Sequence, residues 1–566
     1  MGHARLKVID LSDHANQPFT SNCGEYEIIF NGEIYNFREL REGIADRCDF
    51  RTNSDTEVLL NLYRLHGPDM LDKLNGMFAF VILDRPQNRL FLARDRFGIK
   101  PLYYARLRGM FTFASEIKPI LHMADDAQPD KRMIATYLAT SHCDFGEETF
   151  FEGVRQLPAG GQMLFDLADG TEQIRRWYSL ADAVGRTEVP TGDVTECVAE
   201  TIRRAIDRHL VADVQVGLNI SGGVDSAALV HFVTRALGSC HSFTQDFQGY
   251  SERPWVEEVA QGKAVRAHFA DLKSADIRAE LERTVQHQEQ PFGGVAVVGY
   301  SFLYAMAREH NITVLLDGNG VDETFLGYKK YHLEHLEELQ GTQRFDHALV
   351  DYCAFWDETR ETALARISAL ARDSSMIDGT PHEAGSHMGS ALANLDQYRL
   401  PQVDDFESSL RNSAARDLLH TKIPRGLRFN DRMSMMHSRE LRVPFLDHEL
   451  VELAYTLPVE SLIDASGTKS VLRRALADWI TPKIAFAPKR SIQTPQNDWL
   501  ANDWRDLVED LIGSPSFASR GWVEPARARK AFEAYLTGER ATSFFIWQWI
   551  NLELWARAFF DERIYA

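Results

Sequence analysis

Two patterns of apolar and polar residues divide the chain. In the first part, short apolar runs predict strands at Ala4–Asp10 (ARLKVID), Tyr26–Asn31, Phe78–Asp84, Arg89–Asp95 and Met110–Ser115. The tetrad RPQN between the third and fourth runs predicts a tight antiparallel hairpin. Helical periodicity appears at Phe37–Ile44 and Ser54–Leu65. Strands surrounding two helices predict a layered α+β domain over residues 1–170. From about Val194 strands and helices alternate, which predicts a parallel α/β sheet covered by helices over 194–566. A helix over 194–210 leads to a strand over 214–220. Further strands are expected at His241–Phe247, Ala267–Leu272 and Asn311–Asp317. Residues 329–420 read as a charged helical insertion, with a loop of Gly, Ser and His around 378–391. Met433, Met436 and Leu441 fit one helical stripe, read as core. The apolar Phe544–Phe560 reads as a buried closing helix, too short and too polar to span a bilayer.

Composition changes this picture little. A chain of 566 residues exceeds one core, so at least two domains are expected. The net charge of −20 argues against general nucleic-acid binding and against an anionic membrane surface. Six scattered cysteines, with no Cys/His cluster, suggest a reducing, cytoplasmic setting and no structural zinc.

The chemistry starts at Val216–Phe232, VGLNISGGVDSAALVHF. A β-branched strand runs into Ser221, Gly222, Gly223, Val224, Asp225 and Ser226, and then into a helix. Strand, Gly-rich turn and helix start together make an anion site. It is not the P-loop, because no Gly-Lys-Ser/Thr closes it. Ligands of open α/β sheets sit at the carboxyl ends of the strands. That places Ser221–Ser226, Thr244–Phe247 and Asp317–Glu323 around one crevice. Asp225 and Asp322, both after strand ends, suit Mg²⁺ beside a triphosphate, although either alone could be a helix cap.

The hexapeptide SGGVDS resembles the pyrophosphate loop of the ATP pyrophosphatases. Further motifs are Asn31–Phe37 (NGEIYNF), SDTEVLL, LNGMFAFVILD, ARDRFGIKPLYY and RELRVPFLD. With them the chain resembles the asparagine synthetase B family over nearly its whole length. The resemblance implies an N-terminal-nucleophile-hydrolase-like glutaminase domain and an ATP-pyrophosphatase synthetase domain. In the first, Arg5 would hold the glutamine α-carboxylate, Asn31 and Gly32 the oxyanion, and Glu33 and Asp55 the amino end. In the second, Leu218, Gln245 and Gly318 would line the adenosine site, with Asp317 beside them. Asp225 and Asp322 would hold Mg²⁺. Lys489 would stabilise charge at the α-phosphate, with Lys469 a weaker candidate and Arg432 reaching the phosphate or acceptor.

The implied reaction activates a carboxylate, by default aspartate, with ATP as an acyl-adenylate and turns it into an amide. The expected partners are ATP, the carboxylate, and glutamine or ammonia; a homodimer is compatible with the pattern. Two departures stand out. The chain enters the family pattern just before Arg5, without the family's nucleophilic cysteine. Either the natural start lies upstream and supplies it, or the glutaminase is inactive and ammonia or another amine is used; no efficient glutaminase is expected as written. Cys23, in a loop without an α-amino base, reads as an incidental thiol. Asn319 stands where the asparagine synthetases have glutamate and the β-lactam synthetases tyrosine. An amide can orient a nucleophile but cannot be its base. The alternatives are amide or lactam formation on another carboxylate, and a non-catalytic homologue.

Overall fold

A computed structural model describes residues 1–124, 126–370, 387–489, 493–540 and 542–565. The first layer system holds a six-stranded antiparallel sheet and a three-stranded one. The large sheet is built on Tyr26–Ile34, Gly76–Asp84 and Arg89–Arg94. Asp84 pairs with Arg89 across the expected hairpin, and Asn88 takes the left-handed conformation that closes it (φ 47°). The central strand Gly76–Asp84 is buried on both faces. Phe78, Phe80 and Ile82 turn towards the helix Asp55–His66, whose Val58, Leu59 and Leu62 share their core. Ala79 and Val81 turn the other way, onto Leu102, Tyr104 and Leu157 beside the small sheet. The domain is therefore helix on sheet on sheet, the layered α+β arrangement expected.

Several elements differ from expectation. Ala4–Asp10 is not a strand. Its polar groups go to single partners instead of a ladder. Val8 C=O accepts from Asp213 N–H, Asp10 N–H donates to the Asp213 carboxylate, and Arg5 curls back onto the carbonyls of Ile9, Asp10 and Ser12. The strands Tyr103–Leu107, Gly161–Asp166 and Glu172–Arg176 and the helix Lys131–Thr140 add to the expected set. Glu172–Arg176 is the edge of the large sheet, which therefore runs past residue 170. Leu441 leaves the helical stripe: the helix Ile423–Met436 stops, and Leu441 lies in the short strand Glu440–Arg442. Met433 is core, as expected.

The second half contains a five-stranded, all-parallel sheet. In spatial order its strands are Val265–Leu272, Cys240–Phe247, Val216–Asn219, Val314–Leu316 and Glu440–Arg442. Strand order reverses between Cys240–Phe247 and Val314–Leu316, so the loop after Val216–Asn219 opens into a crevice. The 329–420 region forms the helices Lys329–Leu339, Phe345–Trp356, Arg360–Leu370 and Ser409–Arg416. Of the loop expected around 378–391, residues 378–386 lie outside the described residues. The helix Phe544–Ala556 continues as a π-turn, Arg557–Asp561. It is buried, and its Trp547 and Trp555 indoles donate to the carbonyls of Phe292 and Glu289. Gln548 donates to Tyr137 C=O, tying this helix to the first domain. No helix among the described residues is long and apolar enough to cross a membrane.

Buried charge joins the two halves. Arg442, fully buried, donates to the carbonyls of His209 (2.8 Å) and Val211 (2.7 Å) and to Glu440 (2.8 Å). Its remaining nitrogen lies 3.7 Å from Glu33 of the first domain. Lys100 meets Asp431 at 3.1 Å, and Arg428 meets Asp144 at 2.7 Å. Removing one member of such a set leaves the others charged and unpaired. Arg442→Met is expected to cost about 3–5 kcal/mol of stability, read from the denaturant midpoint. A loss below about 1 kcal/mol would show that the two halves dock without it.

Candidate active site

The crevice in the parallel sheet is a cavity of about 200 Å³. Its floor is the loop after Val216–Asn219. Ser221 N–H donates to Ser226 Oγ (2.8 Å), which folds the loop onto the first turn of the helix Val224–Leu237. Gly222 N–H donates to a carboxylate oxygen of Glu252 (3.2 Å). The loop thus already holds an anionic oxygen on an N–H, the behaviour a phosphate site requires. Gln245, Asp317, Gly318 and Asn319 line the cavity with Ser221, Asp225, Ser226, Asp322 and Lys489. Leu218, Gly222, Gly223 and Val224 do not line it; Leu218 and Val224 are buried in the core.

Two aspartates and two lysines interlock here: Asp225, Asp322 and Lys489 line the cavity, and the buried Lys469 does not. Lys469 Nζ lies 2.8 Å from both carboxylate oxygens of Asp225 and 2.6 Å from Asp322. Lys489 Nζ lies 2.7 Å from Asp322 and 4.0 Å from Asp225. Asp225 and Asp322 sit in the first turns of the helices Val224–Leu237 and Val321–Thr324, and neither is a helix cap. Burial alone would push the Asp322 carboxyl up; Lys469 and Lys489 outweigh it and hold it well below the usual range. Burial pulls the Lys489 ammonium down, and Asp322 and Asp225 reverse this and hold it above its usual range. Lys469 is in the left-handed region (φ 57°) and buried, so the chain accepts local strain to place it. Gly327 makes room: a Cβ there would lie 2.0 Å from Asp322 Oδ1 and 2.1 Å from Lys469 Cε.

The neighbouring acids behave differently. Asp317 accepts from Asn219 Nδ2 (2.6 Å) and from Asn319 N–H (2.8 Å), and burial raises it to about 6. Glu323 accepts from Tyr328 OH (2.8 Å); burial first, then Asp322, raises it to about 7. Asn319 keeps a buried amide nitrogen without a hydrogen-bond partner. Two hard carboxylates beside an N–H-lined loop fit a magnesium triphosphate, and the unpartnered Asn319 amide fits a polar group between them. Thr244 lines the site as the strand-end rule expects, and Tyr300, Tyr328 and Glu252 also line it. The sequence carried no motif for these last three, because they come from separate segments.

Arg432 does not reach this site. It is buried against Glu289 (3.0 Å), with Glu116 at 3.8 Å, and serves the joint between the halves. The segment after Lys489 begins with Arg490, which lies outside the described residues.

A second, smaller cavity of about 50 Å³ is lined mostly by the first domain, with Met435 and Glu440 of the second half. Arg5, Asn31, Gly32, Glu33 and Asp55 all line it. Gly32 has φ 139° within a paired strand, and a Cβ would lie 2.0 Å from Met77 O, so only glycine fits. Asp55 accepts from Ile34 N–H (3.0 Å). Glu33 is pushed well above the carboxylate range by burial and by Glu440 and Asp55. Cys23 is exposed and does not line the cavity.

A family model described as asparagine synthase matches residues 197–557. The chain belongs to the asparagine synthase family. A glutamine amidotransferase domain model matches residues 1–178. Together they give the two-part architecture of the asparagine synthetase B family. The chain is 28% identical to asparagine synthetase (glutamine-hydrolyzing) 1 of Bacillus subtilis, over 98% of this chain and 90% of that protein. It is 30% identical to asparagine synthetase (glutamine-hydrolyzing) 3 of the same organism, over 86% and 79%. It is 26% identical to the amidase chry2 of Gibberella zeae, over 93% and 85%. The protein is thus an asparagine-synthase-like carbon–nitrogen ligase.

Two predictions follow from the geometry of this asparagine-synthase family member. Gly327→Ala is expected to displace Asp322 and Lys469 and to lower ATP–pyrophosphate exchange by about 100-fold or more. Exchange at the wild-type rate would show that the four charges need not interlock. In the first domain, burial raises Asp55 from 3.8 to about 6. Between these values the folded state binds more protons than the unfolded state. Its contribution is therefore present below about pH 4 and lost as pH rises through about 6, by of order 3 kcal/mol. Asp55→Asn should flatten that part of the stability–pH curve; an unchanged slope would contradict the shift.

Proposed function

We propose that the parallel-sheet half adenylates a substrate carboxylate with ATP and Mg²⁺ and that nitrogen then displaces AMP to form an amide. The supporting observation is the convergence of Asp225, Asp322, Lys469 and Lys489 beside the SGGVDS loop. Asp225 and Asp322 would hold the metal, which neutralises phosphate charge. Ser221–Ser226 would cradle pyrophosphate through backbone N–H groups. A carboxylate oxygen attacks the α-phosphorus, the bond to the bridging oxygen breaks, and pyrophosphate leaves. Nitrogen then attacks the acyl carbon, loses a proton, and AMP leaves. Lys489, at the cavity edge with 28% of its side chain exposed, is placed to follow charge as it builds at the α-phosphate. Lys469, with its side chain 2% exposed, is placed to keep the two carboxylates together.

Aspartate is the default acceptor, because the synthetases among the relatives carry that activity in their names. A second reading is a different carboxylate. It is favoured by Asn319, a neutral amide with an unpartnered nitrogen at the acceptor edge, and by the relatives named amidases chry2 and chyE. In the first domain, Arg5, Asn31, Gly32, Glu33 and Asp55 would form the glutamine pocket. Arg5 is already engaged by three backbone carbonyls and would have to share its guanidinium with a substrate carboxylate.

The test is pyrophosphate exchange over a panel of carboxylates that includes aspartate. Lys489→Met is expected to lower exchange by about 10²–10³-fold, with a smaller loss of stability than Lys469→Met because Lys469 still meets both carboxylates. Lys469→Met is expected to lose exchange and also about 3–5 kcal/mol of stability, because it leaves buried carboxylates unpaired. Full exchange in both variants would refute the assignment. Exchange with another carboxylate but not with aspartate would decide for the second reading.

A further inference from the structure

Three histidines meet at the end of the parallel sheet opposite the ATP crevice. His241 is the second residue of the strand Cys240–Phe247, whose far end carries Thr244 and Gln245 into the crevice. His268 lies on the neighbouring edge strand Val265–Leu272. His310 follows the helix Gly294–Glu309. His241 Nδ1 and His268 Nε2 are 3.0 Å apart. The His268 and His310 rings are tilted by 37°, with centroids 3.9 Å apart. One ligating nitrogen from each ring lies within 4.8 Å of the others. His310 is exposed and the other two are partly so, which leaves the cluster open to solvent.

The geometry points to a divalent transition-metal site, of the Zn²⁺ class, formed by His241, His268 and His310. Three imidazoles about a tetrahedral ion at 2.0–2.1 Å bring their nitrogens to about 3.3 Å from one another. The first pair is already near that spacing, and the ligating nitrogen of the exposed His310 lies within 4.8 Å of both. Borderline and nitrogen-preferring ions fit this donor set; Mg²⁺ and Ca²⁺, which need oxygen, do not. Arg266, opposite His241 on the edge strand, opposes any ion held by charge alone. The fourth position is open to water. Bound metal would clip the edge strand to the end of the helix Gly294–Glu309. The three positions are far apart in sequence, which is why no metal-ligand spacing is visible there and no zinc was expected.

The full chain, stripped of metal with a chelator, would be titrated with Zn²⁺ in competition with a chromophoric zinc indicator. The wild type is expected to take one equivalent that His310→Ala and His268→Gln lose, with affinity falling at least about 10-fold. One equivalent of Cu²⁺ should show imidazole nitrogen couplings by EPR in the wild type and fewer of them in His310→Ala. His310→Ala alters an exposed side chain, so its fold is preserved even if His268→Gln is unstable. Equal zinc stoichiometry and affinity in the wild type and His310→Ala would overturn the site and leave only an aromatic cluster.

Discussion

The constraint on which the second half depends is charge neutrality beside the SGGVDS crevice. Two carboxylates cannot be buried side by side unless cations meet them. Here Lys469 lies within 2.8 Å of Asp225 and 2.6 Å of Asp322, and Lys489 is 2.7 Å from Asp322. The arrangement is neutral as it stands. It also places the two charges a magnesium triphosphate needs, anionic for the metal and cationic for the phosphates, within one contact of each other. Much of the surrounding chain serves this placement. Gly327 leaves the space, the strained Lys469 closes the ring, and two strand ends present the aspartates on helix first turns.

The same logic recurs at the joint between the halves. Arg442, Arg428 and Lys100 are each buried, and each is met by a carboxylate or by backbone carbonyls. Glu33 lines the small cavity of the first domain and faces Arg442 from the second. The polar end of one site is therefore in contact with the framework of the other. The closing helix adds a second tie, through Gln548 to Tyr137 and through its indoles to Phe292 and Glu289.

What was legible in the sequence was local. The hairpin at RPQN, the SGGVDS corner and the all-parallel alternation depend on neighbouring residues and appear as expected. Asp225 and Asp322 could be paired because each follows a strand end. What was not legible depends on distant partners. Ala4–Asp10 has the apolar pattern of a strand, but its polar groups bond to Asp213 and to the side chain of Arg5. Leu441 fits a helical stripe, yet the helix ends at Met436 and the strand Glu440–Arg442 joins the sheet. Lys469 reads as only a weaker candidate than Lys489, because nothing in its own segment shows that two aspartates from other loops surround it. Arg432 was drawn towards the phosphates by its charge and is held elsewhere by Glu289.

The most direct test of the adenylation site is isotope transfer from the acceptor. A carboxylate substrate labelled with oxygen-18 in its carboxyl group, turned over with ATP, Mg²⁺ and ammonium, would be followed by mass spectrometry of the nucleotide product. Adenylation at the Asp225–Asp322–Lys469–Lys489 site predicts one labelled oxygen in AMP. Label in inorganic phosphate with ADP as the nucleotide, or amide formed with unlabelled AMP, would contradict it.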